Sequence, residues 1–471
     1  MNIRQINKKF SQGITWNAFF YTFRKGLSIF STFLLYKKLS MLDFSIWANI
    51  NSFIFLILLW LDFGFRKSLP RYCPQFAKNK SSMKRFIRYI VRFQATILTI
   101  AVTVFLLLAK TISYRLNITH MIDLLYLCCA LFALEGILSV MRLIYYSYFW
   151  QKQFNLVMSS IITVKSLTLL AFIFLSYPST TLLRLIFITE IIAGLLAVIC
   201  TIFMLKHLYK DKSYPGNQTI DFKETGKAFI KHSGIMWLNN NLKSLTERNF
   251  MIIILTKLLG PYWSNLFKLA NDGALLFQRT VLKTIGTTDT SLLSYIQTLA
   301  DGEKRMPAAF HQLIKRIASL SIPLLGILFI VVANFRHVFD NIIIFEAFCL
   351  ITICYLVESL LSPYERILEV KRHYPTLAIA YLPYIVFIIS ILCFPIIPIM
   401  GLLWTIVLIH AVRFASYLIM LSIVRTQQKL TFPVAYTIKL LLITIAISAS
   451  VSLTSKLVAN HRPTRHCNKS S

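Results

Sequence analysis

FIKHSGIMWLNNNLKSLTERNFMIIILTK, residues 229–257, combines the length of a membrane span with a charged interior. Its length and ends suit a helix that crosses a bilayer, which needs about 20 mostly apolar residues. Its interior carries Asn240, Lys243, Ser244, Glu247 and Arg248. On a helix turning about 100° per residue, Asn240, Lys243, Ser244, Glu247 and Met251 share a narrow arc with Arg248 at its edge. Leu238, Leu242 and Leu245 lie opposite, blurred by Thr246 and Asn249. A charged side chain facing lipid costs from about 3 to more than about 10 kcal/mol, so the stripe is expected to face protein or water. A polar-lined passage through a membrane protein follows. The plainer alternative is a cytoplasmic amphipathic segment followed by a shorter helix, but 250–259 alone is too short to span.

Composition agrees with a membrane protein. Of 471 residues, 56% are hydrophobic and 14% charged, and the mean hydropathy is +0.65. Soluble domains carry about 25% charged residues. Apolar runs recur along the whole length, which predicts an all-α polytopic fold; a β-barrel would show weakly alternating segments of about ten residues. MNIRQINKKFSQG has a basic start, but no short apolar run ending in small residues follows it, so no cleavable signal peptide is expected. The net charge of +32 is explained by basic cytoplasmic connections, with anionic lipid or substrate as an addition; no nucleic-acid partner is expected. The eight cysteines form no CxxC pair and most lie in apolar runs. They read as core residues, with no disulfide framework and no metal site.

Thirteen candidate spans follow, at 14–37, 46–64, 88–109, 121–146, 155–177, 182–205, 229–257, 262–285, 311–333, 338–361, 374–396, 399–424 and 432–455. With a cytoplasmic N-terminus, the even connections hold the basic clusters. The largest is 65–92 with nine Lys or Arg, then 206–231 and 286–316, whereas odd connections such as KKLSMLD and SYPST are short. That asymmetry sets the orientation. Thirteen spans would put the basic tail after 455 outside, which leaves the side of the C-terminus open. The hydrophilic connection at 206–231 suggests two lobes: an N-terminal lobe over 1–205, a cytoplasmic linker over 206–228, a C-terminal lobe over 229–424, and an extra helix with a basic tail over 425–471. An internal echo supports two lobes. Residues 24–50 lie on 243–269 without gaps, so that Arg24 falls on Lys243, Lys38 on Lys257, Phe44 on Trp263 and Ser45 on Ser264. Repeats with a site between them are a common transporter design.

Polar faces recur in the other spans. In the first, Asn17, Tyr21, Arg24, Ser28 and Ser31 share an arc bordered by Lys25 and Thr32, with Phe19, Phe23, Phe30 and Phe33 across from it. The plainer alternative is a helix lying in the interface plane, but the apolar run continues through Leu35, which favours a span lining a cavity. The fourth span puts Glu135, Ser139, Arg142 and Tyr146 on one face; the eighth aligns Ser264, Asn265, Lys268, Asp272 and Arg279; the second places Asp62 near Asn51. Any one charged pair is equally well a structural ion pair, but several converging polar faces describe a cavity. Its substrate-binding candidates are Arg24, Lys25, Asn240, Lys243, Arg248, Arg142, Lys268 and Arg279. Their charge suits an anionic headgroup such as pyrophosphate, which Arg can hold in bidentate fashion. Asp62, Glu135, Glu247 and Asp272 are the candidates for coupling an ion, and Glu190, Glu346 and Glu358 are further intramembrane carboxylates. His232, His311 and His410 are expected to cap or pack. No GxSxG, HExxH, P-loop or GxGxxG stands in its required context, so neither an enzyme nor a cofactor site is expected.

The stretch 33–72, FLLYKKLSMLDFSIWANINSFIFLILLWLDFGFRKSLPRY, resembles the start of Wzx-type polysaccharide flippases, in the MOP superfamily that also holds MATE exporters and peptidoglycan-precursor flippases. Leu61-Asp62-Phe63-Gly64-Phe65 with Arg71 and Tyr72 keeps one element of that family's pattern. Ser40 and Ser45 stand where its glycines usually are. Leu259-Gly260-Pro261-Tyr262, running to Lys268-Leu269-Ala270, is similar to the counterpart in the second half. The resemblance implies two six-helix lobes, about 12–13 transmembrane helices in all, around a central cavity in the bacterial inner membrane. It also implies an undecaprenyl-pyrophosphate-linked oligosaccharide cargo for O-antigen, lipopolysaccharide or capsule synthesis, with membrane lipids, a polysaccharide polymerase and chain-length proteins as partners. The rivals are a MATE-like small-molecule exporter, a membrane polymerase or ligase of the same pathway, and a structural assembly protein. MATE cargo is commonly cationic, which fits poorly with these basic residues. A polymerase or ligase usually needs a large periplasmic loop, and a structural protein needs no charged stripes inside its spans.

Overall fold

The computed structural model describes residues 3–76, 79–115, 122–148, 150–175, 177–210, 222–297, 302–335, 341–371, 373–393, 396–428 and 430–460. Side chains are described for most of these; those of residues 3–15, Lys25 and Arg279 fall outside the described set. Among the described residues every element is an α-helix. In chain order they are α1 (Ile3–Lys38), α2 (Met41–Trp60), α3 (Phe65–Phe76), α4 (Lys80–Arg115), α5 (Ile122–Ser147), α6 (Gln151–Phe174), α7 (Ser179–Leu208) and α8 (Phe222–Ser244). They continue with α9 (Arg248–Leu259), α10 (Pro261–Gln297), α11 (Gly302–Phe335), α12 (Ile342–Val370), α13 (Tyr374–Ala380), α14 (Leu382–Cys393), α15 (Ile396–Gln428) and α16 (Val434–Asn460). Helices suit these sequences because only they satisfy every backbone polar group within the segment when the surroundings are apolar.

Each of the thirteen expected spans coincides with one helix or with a broken pair. Among the described residues ten spans are long and apolar enough to cross a membrane, the first Met41–Trp60 and the last Val434–Val451. The chain is a multi-pass membrane protein. α1, α8 with α9, and α10 fall below that threshold, and these are the elements whose polar stripes dilute their apolar residues.

By contact the chain forms two units. One is Met1–Asp272 with Leu377–Thr405; the other is Gly273–Thr376 with Ile406–Ser471. In the first unit α1 packs along α6. From its polar arc Arg24 reaches Asn155 and Ser31 Oγ donates to Ser166 Oγ at 3.3 Å, while Ser28 is exposed and the side chains of Asn17 and Tyr21 lie outside the described residues. Phe19, Phe23, Phe30 and Phe33 are exposed on the other side, the arrangement expected where lipid is the solvent.

The helix ends explain two departures from the family pattern. Ser40 caps α2, its Oγ accepting from Asp43 N at 3.1 Å, and its backbone N–H donates to Ser179 Oγ at 2.8 Å. Such a cap satisfies backbone donors that no helical carbonyl reaches. Ser45 is buried and accepts from Asn49 Nδ2 at 3.2 Å, while Asn49 Oδ1 accepts from Thr256 of α9 at 3.0 Å. The turn after α2 runs through Phe63 at φ 47° and Gly64 at φ 75°. A Cβ on Gly64 would stand 2.1 Å from Ser233 O and 2.9 Å from Trp237 N of α8, so glycine here answers both a left-handed backbone and a close approach.

One expectation is corrected. Residues 229–257 are not one helix: α8 ends at Ser244, and α9 starts at Arg248. The arc that joined Asn240, Lys243 and Ser244 to Glu247 and Met251 is therefore split. Tertiary contacts hold the break. Trp60 Nε1 donates to Ser244 Oγ at 3.2 Å, Trp237 Nε1 donates to Trp60 O, and α9 packs on α2. The internal echo survives at the next junction. In its register Lys38, the last residue of α1, falls on Lys257, and α9 ends at Leu259.

In the second unit α11 packs against α12 and α16. A Cβ on Gly326 would stand 2.4 Å from Thr444 Cγ2, so the thirteenth apolar segment is a closely packed helix. Phe310 stacks edge-on with Tyr364 at 5.2 Å, and Lys315 Nζ lies 5.4 Å from the Tyr436 ring centre.

Candidate functional site

The polar network of the first unit grows from α1, the turn after α2, and α5 to α7. Arg24 reaches from α1 to α6, donating through Nη2 to Asn155 Oδ1 at 2.6 Å and through Nε to Phe20 O at 3.2 Å. Tyr146 OH of α5 donates to the same Asn155 oxygen at 2.8 Å. One turn earlier on α5, Arg142 lies within electrostatic reach of Arg24, Arg66, Tyr146 and Glu135. Arg66 begins α3, its backbone N–H donating to Asp62 Oδ2 at 3.1 Å, and Asp62 also feels Arg142. Arg142 thus stands within electrostatic reach of both Asp62 and Glu135, with Arg66 beside Asp62 and Arg24 beside Arg142. Further along, Glu135 interacts with Lys165 and Glu190, which pair with each other at 2.6 Å.

Arg24 is bound by neutral acceptors, an amide and a carbonyl oxygen. Among the described residues no carboxylate hydrogen bond cancels its charge. That is the chemistry of an anion-binding group, since a fixed guanidinium presents paired donors to phosphate oxygens.

A second cluster joins α9 to α10. Asp272 pairs with Arg248 and with Lys268, whose Nζ is 3.0 Å from Asp272 Oδ2. Lys268 Nζ also lies 4.5 Å from the Trp47 ring centre, and Arg248 donates to Asn249 Oδ1 at 3.0 Å. Asn265 Nδ2 donates to Met41 O at 3.0 Å. Two expected substrate-binding cations, Arg248 and Lys268, thus share one expected coupling carboxylate, which leaves the trio with a net positive charge. The geometry is that of a buried structural ion cluster, costly to desolvate and costly to break.

Lys243 and Asn240 stand on the last turn of α8, and Glu247 precedes the first residue of α9. Just before this break the Nδ2 atoms of Asn239 and Asn240 and the Oδ1 of Asn241 are buried without a hydrogen-bond partner among the described residues. Lys25 and Arg279 were expected here as well; their side chains lie outside the described residues. In the second unit a further buried cluster forms. His410 Nδ1 of α15 is 2.6 Å from Glu358 Oε1 of α12, and Arg413 Nη2 is 2.8 Å from Glu358 Oε2. The Tyr355 ring packs edge-on to His410 at 5.2 Å. His410 was expected only to cap or pack; here it is a direct partner of a buried carboxylate.

Sequence reasoning did not select Arg66, Asn155, Lys165 or Arg413. Lys165 and Arg413 had a signal, since each is a lone cation within an apolar run. Arg66 was hidden in a basic connection, and Asn155 carries no charge to mark it.

No family model and no curated protein matches the chain by sequence. Solved structures do match in fold. The lipid II flippase MurJ, in an inward closed conformation, superposes with a TM-score of 0.61 at 16% identity, covering 93% of this chain and 92% of that one. The fold is similar to those of transporters of the MOP superfamily. An outward-facing multidrug resistance MATE family transporter of that superfamily gives a TM-score of 0.60 at 12% identity, over 94% of this chain and 97% of that one. A MOP-superfamily transporter from Pyrococcus furiosus, described by a reversed polarity of its binding pocket, gives 0.61 at 12% identity, over 89% and 96%. These similarities are spread over the whole chain and concern fold alone; a MATE transporter and a flippase fit equally well.

Proposed function

We propose that this protein is a flippase that carries an undecaprenyl-pyrophosphate-linked oligosaccharide repeat unit across the bacterial inner membrane for O-antigen or capsule synthesis. The observation that carries this reading is the partly buried Arg142 of the first unit, within electrostatic reach of Arg24 and of the exposed Arg66, with Arg24 held by neutral acceptors. A cationic site of this kind suits a pyrophosphate and disfavours the cationic cargo common among MATE exporters. Tyr146, Asn155 and the asparagines before the α8 break supply hydroxyl and amide groups for sugars. Moving such a headgroup bare through lipid would leave its charges and hydroxyls unpaired. The polar interior removes that cost while the lipid tail stays in the bilayer, and alternating exposure to the two sides completes the transfer. Similarity in fold to a lipid II flippase is consistent with a lipid-linked cargo. The pocket of reversed polarity in the Pyrococcus furiosus transporter is consistent with site charge varying on one fold. This is transport and not catalysis, and on this reading the polymerase and chain-length proteins receive the cargo on the far side.

The test is surface polysaccharide measured together with protein level in a deletion strain carrying single variants. Arg24→Ala and Lys243→Ala are each expected to lower polysaccharide at normal protein level, and Arg24→Lys to keep part of the activity, because charge is the first requirement and fork geometry the second. Normal polysaccharide from the double Arg24→Ala, Lys243→Ala chain would exclude a shared anion site.

A further inference from the structure

A cavity of about 340 Å³ opens between the first turns of α4 and the last turn of α7. Both helices pack against α5. One wall is a row of cations, Lys84, Arg88 and Arg92, one per helical turn and about 6 Å apart along the axis. The other wall and the floor are Val91, Leu205 and Tyr209. Lys84 Nζ sits 5.5 Å from the Tyr209 ring centre, so the ring fixes one cation at the mouth. No acidic side chain lines the cavity among the described residues. The three cations are exposed, whereas Arg85 turns away to lie 4.6 Å from the Phe222 ring centre.

The groove also has a direction. The span on α7 ends at Leu208 and Tyr209 follows it, while on α4 the cations occupy the start of the span Lys80–Thr111. Along α7 the exposed side chains Ile202, Ile199 and Leu195 run away from the cavity toward the middle of the span. A ligand that fits is anionic at one end and apolar at the other.

We propose that this groove is a binding site for an anionic glycerophospholipid, whose phosphate sits among Lys84, Arg88 and Arg92 and whose acyl chains lie along α7. Three cations lining a concave, partly apolar cavity bind a headgroup where the same charges spread on a flat surface would only enrich it. The site is separate from the arginine network around Arg24 and does not depend on the nature of the cargo.

The experiment uses the full chain in phosphatidylcholine vesicles. Tyr209→Trp places a reporter in the groove, and the same chain without it gives the background of the seven native tryptophans. Brominated phosphatidylglycerol at a low mole fraction is expected to quench the reporter far more strongly than brominated phosphatidylcholine. Adding K84Q/R88Q/R92Q should remove this preference, at about fivefold in apparent affinity per charge lost, and leave quenching by brominated phosphatidylcholine unchanged. Arg88→Gln alone repeats the test in a minimally altered chain. K223Q/K227Q/K231Q removes the same charge at the same spacing on α8, outside the cavity, and should leave the preference intact. Equal quenching by the two lipids in the unaltered groove would overturn the proposal, as would equal loss from both triple variants, which is the signature of diffuse surface charge. Competition by millimolar inorganic phosphate would assign the site to a soluble anion and overturn the lipid assignment.

Discussion

Gly64 carries two constraints at once, a backbone at φ 75° and a Cβ direction blocked by Ser233 O of α8. Alanine there would add left-handed strain of about 1–2 kcal/mol and a collision with backbone that cannot swing aside. Gly64→Ala is expected to lower thermal stability by more than about 2 kcal/mol and to reduce protein level; an unchanged melting temperature would contradict the packing of this turn on α8. Asp272 poses the opposite problem. Asp272→Ala would leave Lys268 and Arg248 in a buried site without their carboxylate, at a cost of about 3–5 kcal/mol, so its protein level should fall. A stable Asp272→Ala chain that fails to export would instead place Asp272 in the transport step. The Leu61-Asp62-Phe63-Gly64 turn was legible in the sequence because glycine at a left-handed turn leaves a mark. The partner of Arg24 was not, because Asn155 lies 131 positions away and its amide looks like any other.

At the scale of elements, helical periodicity found the polar face of α1 and the charged faces of α5 and α10, because each of these helices is continuous through its stripe. It failed for α8 and α9. Nothing local announces a break at Leu245-Thr246-Glu247: no glycine or proline stands there, and the interruption is held by Trp60 and Trp237 from outside the segment. At α13 and α14 the break has a local sign in Pro383, two residues into the new helix. The sidedness of the elements rests on charge. Nine Lys or Arg lie in 65–92, and all but Lys78, which lies outside the described residues, stand on α3 and the first turns of α4, so this end is expected to face the cytoplasm. In a chain with its native cysteines replaced, Ser81→Cys should react with an impermeant thiol reagent only after the membrane is opened. Labelling of intact cells would invert the topology.

For the whole molecule, composition and the repetition of apolar runs were enough for the class: sparse charge along the entire length leaves helices in lipid as the only economical arrangement. The division by contact was less legible. Leu377–Thr405 joins the unit formed by Met1–Asp272, a long-range association for which the sequence offers no periodic or compositional sign. The fold is shared by exporters and a lipid flippase, so the cargo rests on the chemistry of the polar network. The most direct measurement is leaflet-resolved detection of a pyrophosphate-linked oligosaccharide in vesicles that hold the purified chain, with the same vesicles carrying Arg24→Ala beside it. Transfer of the oligosaccharide to the far leaflet by the native chain, with loss in Arg24→Ala at equal protein, is the result predicted here. Equal transfer by both chains, or none above protein-free vesicles, would contradict it.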